Sequence, residues 1–142
     1  MVKEKLPRRP VSDLSVMLAT LNPVLHSGVF VFATASELTA EDAPHIVSSM
    51  REEEGLSVIA AEEHAARRGW PVALQVAWLT LKVHSDLNAV GLTAAVSRVL
   101  AAQGIACNIV AGVCHAHVFV PYAQRSAALQ ALRCLQSDAT LA

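Results

Sequence analysis

Residues 75–84, QVAWLTLKVH, alternate in character from one position to the next, and the alternation stops at the turn that follows. A period of two predicts a strand. From residue 88 to 103 the spacing changes to three and four, with Leu92, Ala95, Val96, Val99 and Leu100 on one stripe and Gly104 as a stop, which predicts a helix. IACNIVA, 105–111, reads as a strand, Gly112 as a turn, and HAHVFVPY, 115–122, as another strand. Residues 123–136 place Leu129, Leu132 and Leu135 inward on a last helix. The order β-α-β-β-α is one strand short of a ferredoxin-like β-α-β-β-α-β unit. That strand must come from the N-terminal half or from a neighbouring subunit, or be absent.

The first half is fainter. Residues 1–11 read as a flexible arm. Ser12 or Asp13 can cap a helix carrying Leu14, Met17, Leu18 and Leu21, ended by Asn22-Pro23. After Gly28, VFVFATA is a run of β-branched and aromatic residues, the mark of a strand. Between 36 and 55 the pattern is ambiguous: Thr39, Glu41 and Asp42 resemble a helix start, and Met50 to Gly55 a helix end or tight loop. LSVIA, 56–60, reads as a strand. Residues 61–69 read as a short helix with acids first, Arg67 and Arg68 last, and Gly69 beyond. Trp70-Pro71 separates an N-terminal half, 12–71, from a C-terminal one, 72–142.

Composition narrows the function. Of 142 residues, 54% are hydrophobic and 16% charged, an apolar surplus that predicts surface buried between subunits, as a homodimer or higher homo-oligomer. Apolar runs are too short for a membrane helix, and MVKEKLPRRP lacks a leader's apolar stretch, so a cytoplasmic location is expected. A net charge of −1 and 4% aromatic residues give no footprint for nucleic acid. Cys107, Cys114 and Cys134 have no paired spacing and read as reduced, mostly buried thiols. Nothing in the chain calls for a cofactor, and no nucleophile–base pattern or phosphate-binding loop supports catalysis.

The chemistry gathers in KVHSDLNAVGLT, 82–93. A helix N-terminus offers free N–H groups and a positive dipole end to a carboxylate. Asp86 suits a neighbouring ammonium, and Gly91 leaves the first turn open to close approach. On local sequence alone, a cap at Asp86 or Asn88 and a packing role for Gly91 explain the stretch as well. His84, at the end of one strand, should lie near His115 at the start of its neighbour, with His117 on the same face. Three imidazoles suit zinc, a polar sheet face, or the border of an interface pocket, which is the expectation adopted. On the central strand, Trp78, Thr80, Lys82 and His84 form a mixed face opposite Ala77, Leu79, Leu81 and Val83, the face the helices should cover.

HSDLNAVGLTAAVSRVLAAQGIACNIVAG resembles the opening strand–loop–helix–strand of the ACT domain family, with Asp86, Gly91 five residues on, and Asn108 within the Ile-rich second strand. Val90 stands where the family usually has proline. REEEGLSVIA and VAGVCHAHVFVP extend the resemblance to small bacterial proteins of paired ACT-like halves, similar to the CASTOR arginine sensors. The resemblance implies an α+β protein of two ferredoxin-like halves, with antiparallel sheets and helices on one face. It implies a sensor of an amino acid or related metabolite, without catalysis. The implied site comprises His84, Ser85, Asp86, Leu87, Asn88, Val90, Gly91, Asn108, His115 and His117, with Glu54 of the Glu52–Glu54 run as a further ammonium partner. The alternatives are a metal-binding protein or enzyme using His84, His115 and His117, and a purely structural oligomerisation module.

Overall fold

In chain order the elements are α1 (Leu14–Ala19), β1 (Pro23–Leu25), β2 (Phe30–Ala35), β3 (Ile46–Glu52), β4 (Gly55–Ala61), α2 (Glu62–Arg68), β5 (Val72–Leu81), α3 (Leu92–Ala102), β6 (Asn108–Ala111), β7 (Ala116–Pro121) and α4 (Arg125–Leu141). This is a computed structural model, and it describes residues 10–141. The expected arm falls outside those residues up to residue 9. Val11 is described and forms a bridge to Ser85, its N–H donating to the His84 carbonyl at 2.8 Å.

All strands join one antiparallel sheet, ordered β3-β4-β2-β5-β7-β6, with β1 added beside β5. Two ferredoxin-like units share it. The first is β2, β3, β4, α2 and the start of β5, which pairs with β2 from Phe30↔Val76 to Ala33↔Val72. The second is the end of β5, α3, β6, β7, α4 and β1. The strand missing from the C-terminal pattern is therefore β1, supplied from before the unit begins: Pro23↔Leu81, Val24↔Thr80 and Leu25↔Leu79. β5 is the last strand of one unit and the first of the other.

Helices lie on one sheet face. Ala77, Leu79 and Leu81 pack beneath α1, α3 and α4 with Met17, Val96, Leu100, Val118 and Leu132, all buried. Val31 pairs with Gln75 and so shares that face; with Ala33, Val58 and Ala60 it packs against Ala65 of α2. The first unit has no helix between β2 and β3. Residues 36–42 and a 3-10 turn, Ala43–His45, take its place. The expected helix start at Thr39 is thus a loop; of the two readings of Met50 to Gly55 the tight loop holds, with Glu53 and Glu54 turning the chain from β3 into β4.

The helix-free face is concave. Phe30, Phe32, Ile59, Val76, Trp78 and Phe119 cluster there, and Val47 of β3 and Val110 of β6 pack onto them from the two edges. The cysteines are free, but Cys114 and Cys134 are exposed and Cys107 half-buried, contrary to the expectation of mostly buried thiols. Cys134 sits on the outer side of α4, and Cys114 in the β6–β7 turn. No helix among the described residues is long and apolar enough to cross a membrane.

Candidate functional site

The loop after β5 is held by backbone before any side chain acts. Lys82 N–H donates to the Asn22 carbonyl and Val83 N–H to that of Leu21, so the α1–β1 corner fixes where the loop departs. Asp86 then closes a turn: its Oδ1 accepts the Asn88 N–H at 2.8 Å, and its Oδ2 accepts the Ser12 hydroxyl at 3.1 Å. The Ala89 N–H returns to the Asp86 carbonyl at 3.0 Å. These bonds delay the helix, which begins at Leu92 rather than 88. Its N-cap is Gly91, at φ 109°, with no side-chain cap. Neither Asp86 nor Asn88 is the cap.

The uncapped first turn of α3 borders a hollow of about 150 Å³. Ser85, Asp86, Leu87, Gly91 and Thr93 line it, with Ala111, Gly112 and Ala116 across from them. Free N–H groups and a dipole's positive end thus border one small space with Asp86, whose two carboxylate oxygens already accept from Asn88 N–H and Ser12. The volume lies below the usual range of small-molecule pockets, roughly 300–1,000 Å³, and suits a zwitterionic head better than a bulky side chain. Leu87, Val90 and Val113 are 62%, 86% and 74% exposed, a set of uncovered apolar side chains on the loops beside it.

The remaining candidates are dispersed. Asn108 pairs with Phe119 at the far end of β6 from Ala111, about 10 Å along a strand rising ~3.4 Å per residue. The strand does not bring it to the Asp86 loop. Glu54 sits in the β3–β4 turn, beside a separate hollow lined by Leu56, Arg68 and Trp70. His115 lies with Nδ1 3.4 Å from the Val83 carbonyl, as strand order requires. His117, two positions on, belongs to another cavity. Among the described residues no group of three His, Cys, Asp or Glu side chains is arranged to hold a metal.

That second cavity fills the concave face, at about 500 Å³. Phe30, Trp78, Phe119, Val110, His45 and His117 are among its walls. Trp78 stacks on His26 at 3.7 Å and donates its Nε1–H to His117 Nδ1 at 3.0 Å. The Thr80 hydroxyl, buried beneath, lies 2.6 Å from His26 Nε2 and 3.0 Å from His117 Nδ1. Burial lowers the pKa of His117, helped by the nearby charges of His115, His26 and Lys82. Burial, then Lys82, lowers that of His26. Nothing local in the sequence ties His26 to a tryptophan 52 positions later.

Asp42, which in the sequence resembles part of a helix start, is a buried anchor, 1% exposed. Its carboxylate accepts the Thr39 N–H at 2.8 Å, His64 Nε2–H at 2.7 Å and Arg68 Nε–H at 2.9 Å. The Thr39 N–H, above all, holds the carboxyl well below its ordinary range; burial opposes this, and His64 and Arg68 reinforce it.

Residues 9–76 match a family model described as an ACT domain, and residues 74–134 match a second of the same description. A Vibrio cholerae structure, described as a protein of unknown function and possible transport protein, is 35% identical. The match spans 87% of this chain and 95% of that one, with a TM-score of 0.76. An Agrobacterium tumefaciens protein matches 80% of this chain and 87% of its own at 17% identity and a TM-score of 0.68. The ligand-free regulatory subunit of aspartate kinase from Thermus thermophilus is 11% identical over 82% of this chain and 97% of its own, with a TM-score of 0.57. These last two share the fold and support nothing finer. No curated protein matches the chain.

Proposed function

The chain belongs to the ACT domain family, matched in both halves, and from that premise we propose that it is a non-catalytic regulatory protein that binds an amino acid or close analogue in the hollow before α3. The observation that carries this is the uncapped N-terminus of α3 facing a space shared with the Asp86 carboxylate. A ligand carboxylate takes the first-turn N–H groups, and Asp86 faces the ammonium. The ligand's side chain extends outward past Leu87 and Val90. A second copy of the chain covers that apolar rim, so the ligand favours one arrangement of subunits by differential binding.

The test is a melting screen over the common amino acids. A ligand at 100 times its Kd stabilises by about 2.7 kcal/mol, a rise of roughly 5–10 °C for a chain of this size. Asp86→Asn keeps an oxygen for the Asn88 N–H but removes the charge. It should stay folded and bind at least ~10-fold more weakly, about 1.4 kcal/mol. If no amino acid raises the melting temperature, this function is wrong.

A further inference from the structure

The cavity on the concave face differs in chemistry from the hollow before α3. Its walls include Phe30, Trp78 and Phe119, the imidazoles of His45 and His117, and the Ser48 hydroxyl, and no Asp, Glu, Lys or Arg side chain is among them. A zwitterion placed there would lose water and meet no counter-charge, which costs several kcal/mol. A flat, uncharged ring meets matching surfaces. Trp78 is already fixed, its one face on His26 and its Nε1–H on His117, so little ordering remains when a ligand arrives. Phe30 stands edge-on to it at 5.3 Å.

The same hydrogen bond sets the imidazole's polarity. Indole N–H only donates, so Nδ1 of His117 is the bare nitrogen, and the neutral ring carries its proton on Nε2. That nitrogen lies on the Gly112 side, 3.5 Å from where a Gly112 Cβ would stand. Gly112 has no left-handed backbone to explain it. A Cβ there would crowd the His115 carbonyl at 3.2 Å, which is a packing reason for glycine, and the absent side chain also leaves the wall open beside Nε2.

We propose that this aromatic and imidazole-lined cavity is a second ligand site, taking an uncharged planar aromatic or heteroaromatic metabolite. The ring lies among Trp78, Phe30 and Phe119, and accepts a hydrogen bond from His117 Nε2–H. A volume of about 500 Å³ admits a bicyclic or larger ring system. The cavity shares the Ala111–Gly112 wall with the hollow before α3 and otherwise has its own lining, so Val110→Trp, outside the hollow's lining, is the variant that separates the two sites.

The test follows the Nε1–H resonance of Trp78, assigned with Trp70→Phe, during titration with indole, benzimidazole and nicotinamide as neutral probes and tryptophan as the zwitterionic one. At least one neutral probe should shift the resonance saturably below millimolar concentration, and tryptophan should bind at least ~10-fold more weakly. Gly112→Leu should weaken the neutral probe at least ~10-fold. Val110→Trp, which fills the cavity from β6 without touching the α3 hollow, should do the same, and covers the case in which the first variant fails to fold. The proposal is overturned if no neutral probe saturates, if tryptophan binds as well as indole, or if binding persists unchanged in a folded cavity-filling variant.

Discussion

At Gly91 the backbone, rather than a ligand, explains the residue. A φ of 109° is one that side chains rarely adopt, and a Cβ there would meet Leu14 Cδ2 at 2.9 Å. Gly91→Ala should therefore cost about 1–3 kcal/mol, read from urea unfolding with no ligand present; a change under ~0.5 kcal/mol would show the strain to be relieved elsewhere. The clearance first inferred at Gly91 cannot be tested by enlarging it, which is why Asp86→Asn is the better probe. His26 and His117 make a prediction in pH. Both have folded pKa values below the 6.5 of the free group. Below that value the unfolded chain binds more protons than the folded one, so stability falls as pH drops from about 6.5 through the lowered values. The melting temperature should be flat from pH 8 to 7 and decline toward pH 5. The double change His26→Gln, His117→Gln should reduce that decline, and an unaltered slope would place its source elsewhere.

Elements with their own local signals were legible in the sequence, and elements made by their partners were not. α2 announced itself through Glu62, Glu63, Arg67, Arg68 and Gly69, and both its ends fall where those residues put them. α3 carried its stripe, yet its start was misplaced by four residues because the Asp86 side chain, not the pattern, sets the turn. β3 has no clean alternation in IVSSMRE and exists through its register with β4. Within the site, Ser85, Asp86, Leu87 and Gly91 were readable as a contiguous loop, whereas Asn108 and Glu54 required long-range placement that local spacing does not contain. β1 is three residues beginning with proline, and only the edge of β5 makes it a strand. Bonds from His26 N–H to the Trp78 carbonyl and from Lys82 N–H to that of Asn22 flank the Val24↔Thr80 pair, so alternation gives Val24 a ladder bond. Val24→Pro should cost about 1–3 kcal/mol, measured by denaturant midpoint at unchanged slope. The loop of residues 36–45 depends likewise on Asp42. Its folded carboxyl is depressed, so its contribution is present above the free value of 3.8 and lost as pH falls below it. Asp42→Asn should melt lower at pH 7 and lose less on acidification below pH 4 than the parent; equal acid slopes would contradict the anchor.

For the molecule as a whole, the missing strand and the mixed sheet face are both accommodated within the chain: β1 completes the C-terminal unit, and the face of Trp78 curls over its own cavity. The self-association proposed above is assigned to the exposed rim of Leu87, Val90 and Val113, and sedimentation with and without an amino-acid ligand tests it. The units are also not separable bodies. Residues 72–142 lack β1 and α1, and residues 1–71 lack the strand at Val72–Val76. Neither fragment should melt cooperatively alone, and the pair mixed should regain a cooperative transition by circular dichroism; a native-like melt of 72–142 alone would show that its unit does not need β1 and α1. The shared strand also bears on synthesis. α1 and β1 are made before the other described elements, yet Asn22 N–H and the Ala19 carbonyl find their partner in Gln136, up to 117 positions later. At about 5–20 residues/s that is roughly 6–23 s of translation, during which Met17 and Leu21 lack the part of their core that α4 supplies through Ala128, Ala131 and Leu132. The nascent chain cannot complete its second unit before its first segment is reclaimed by its last.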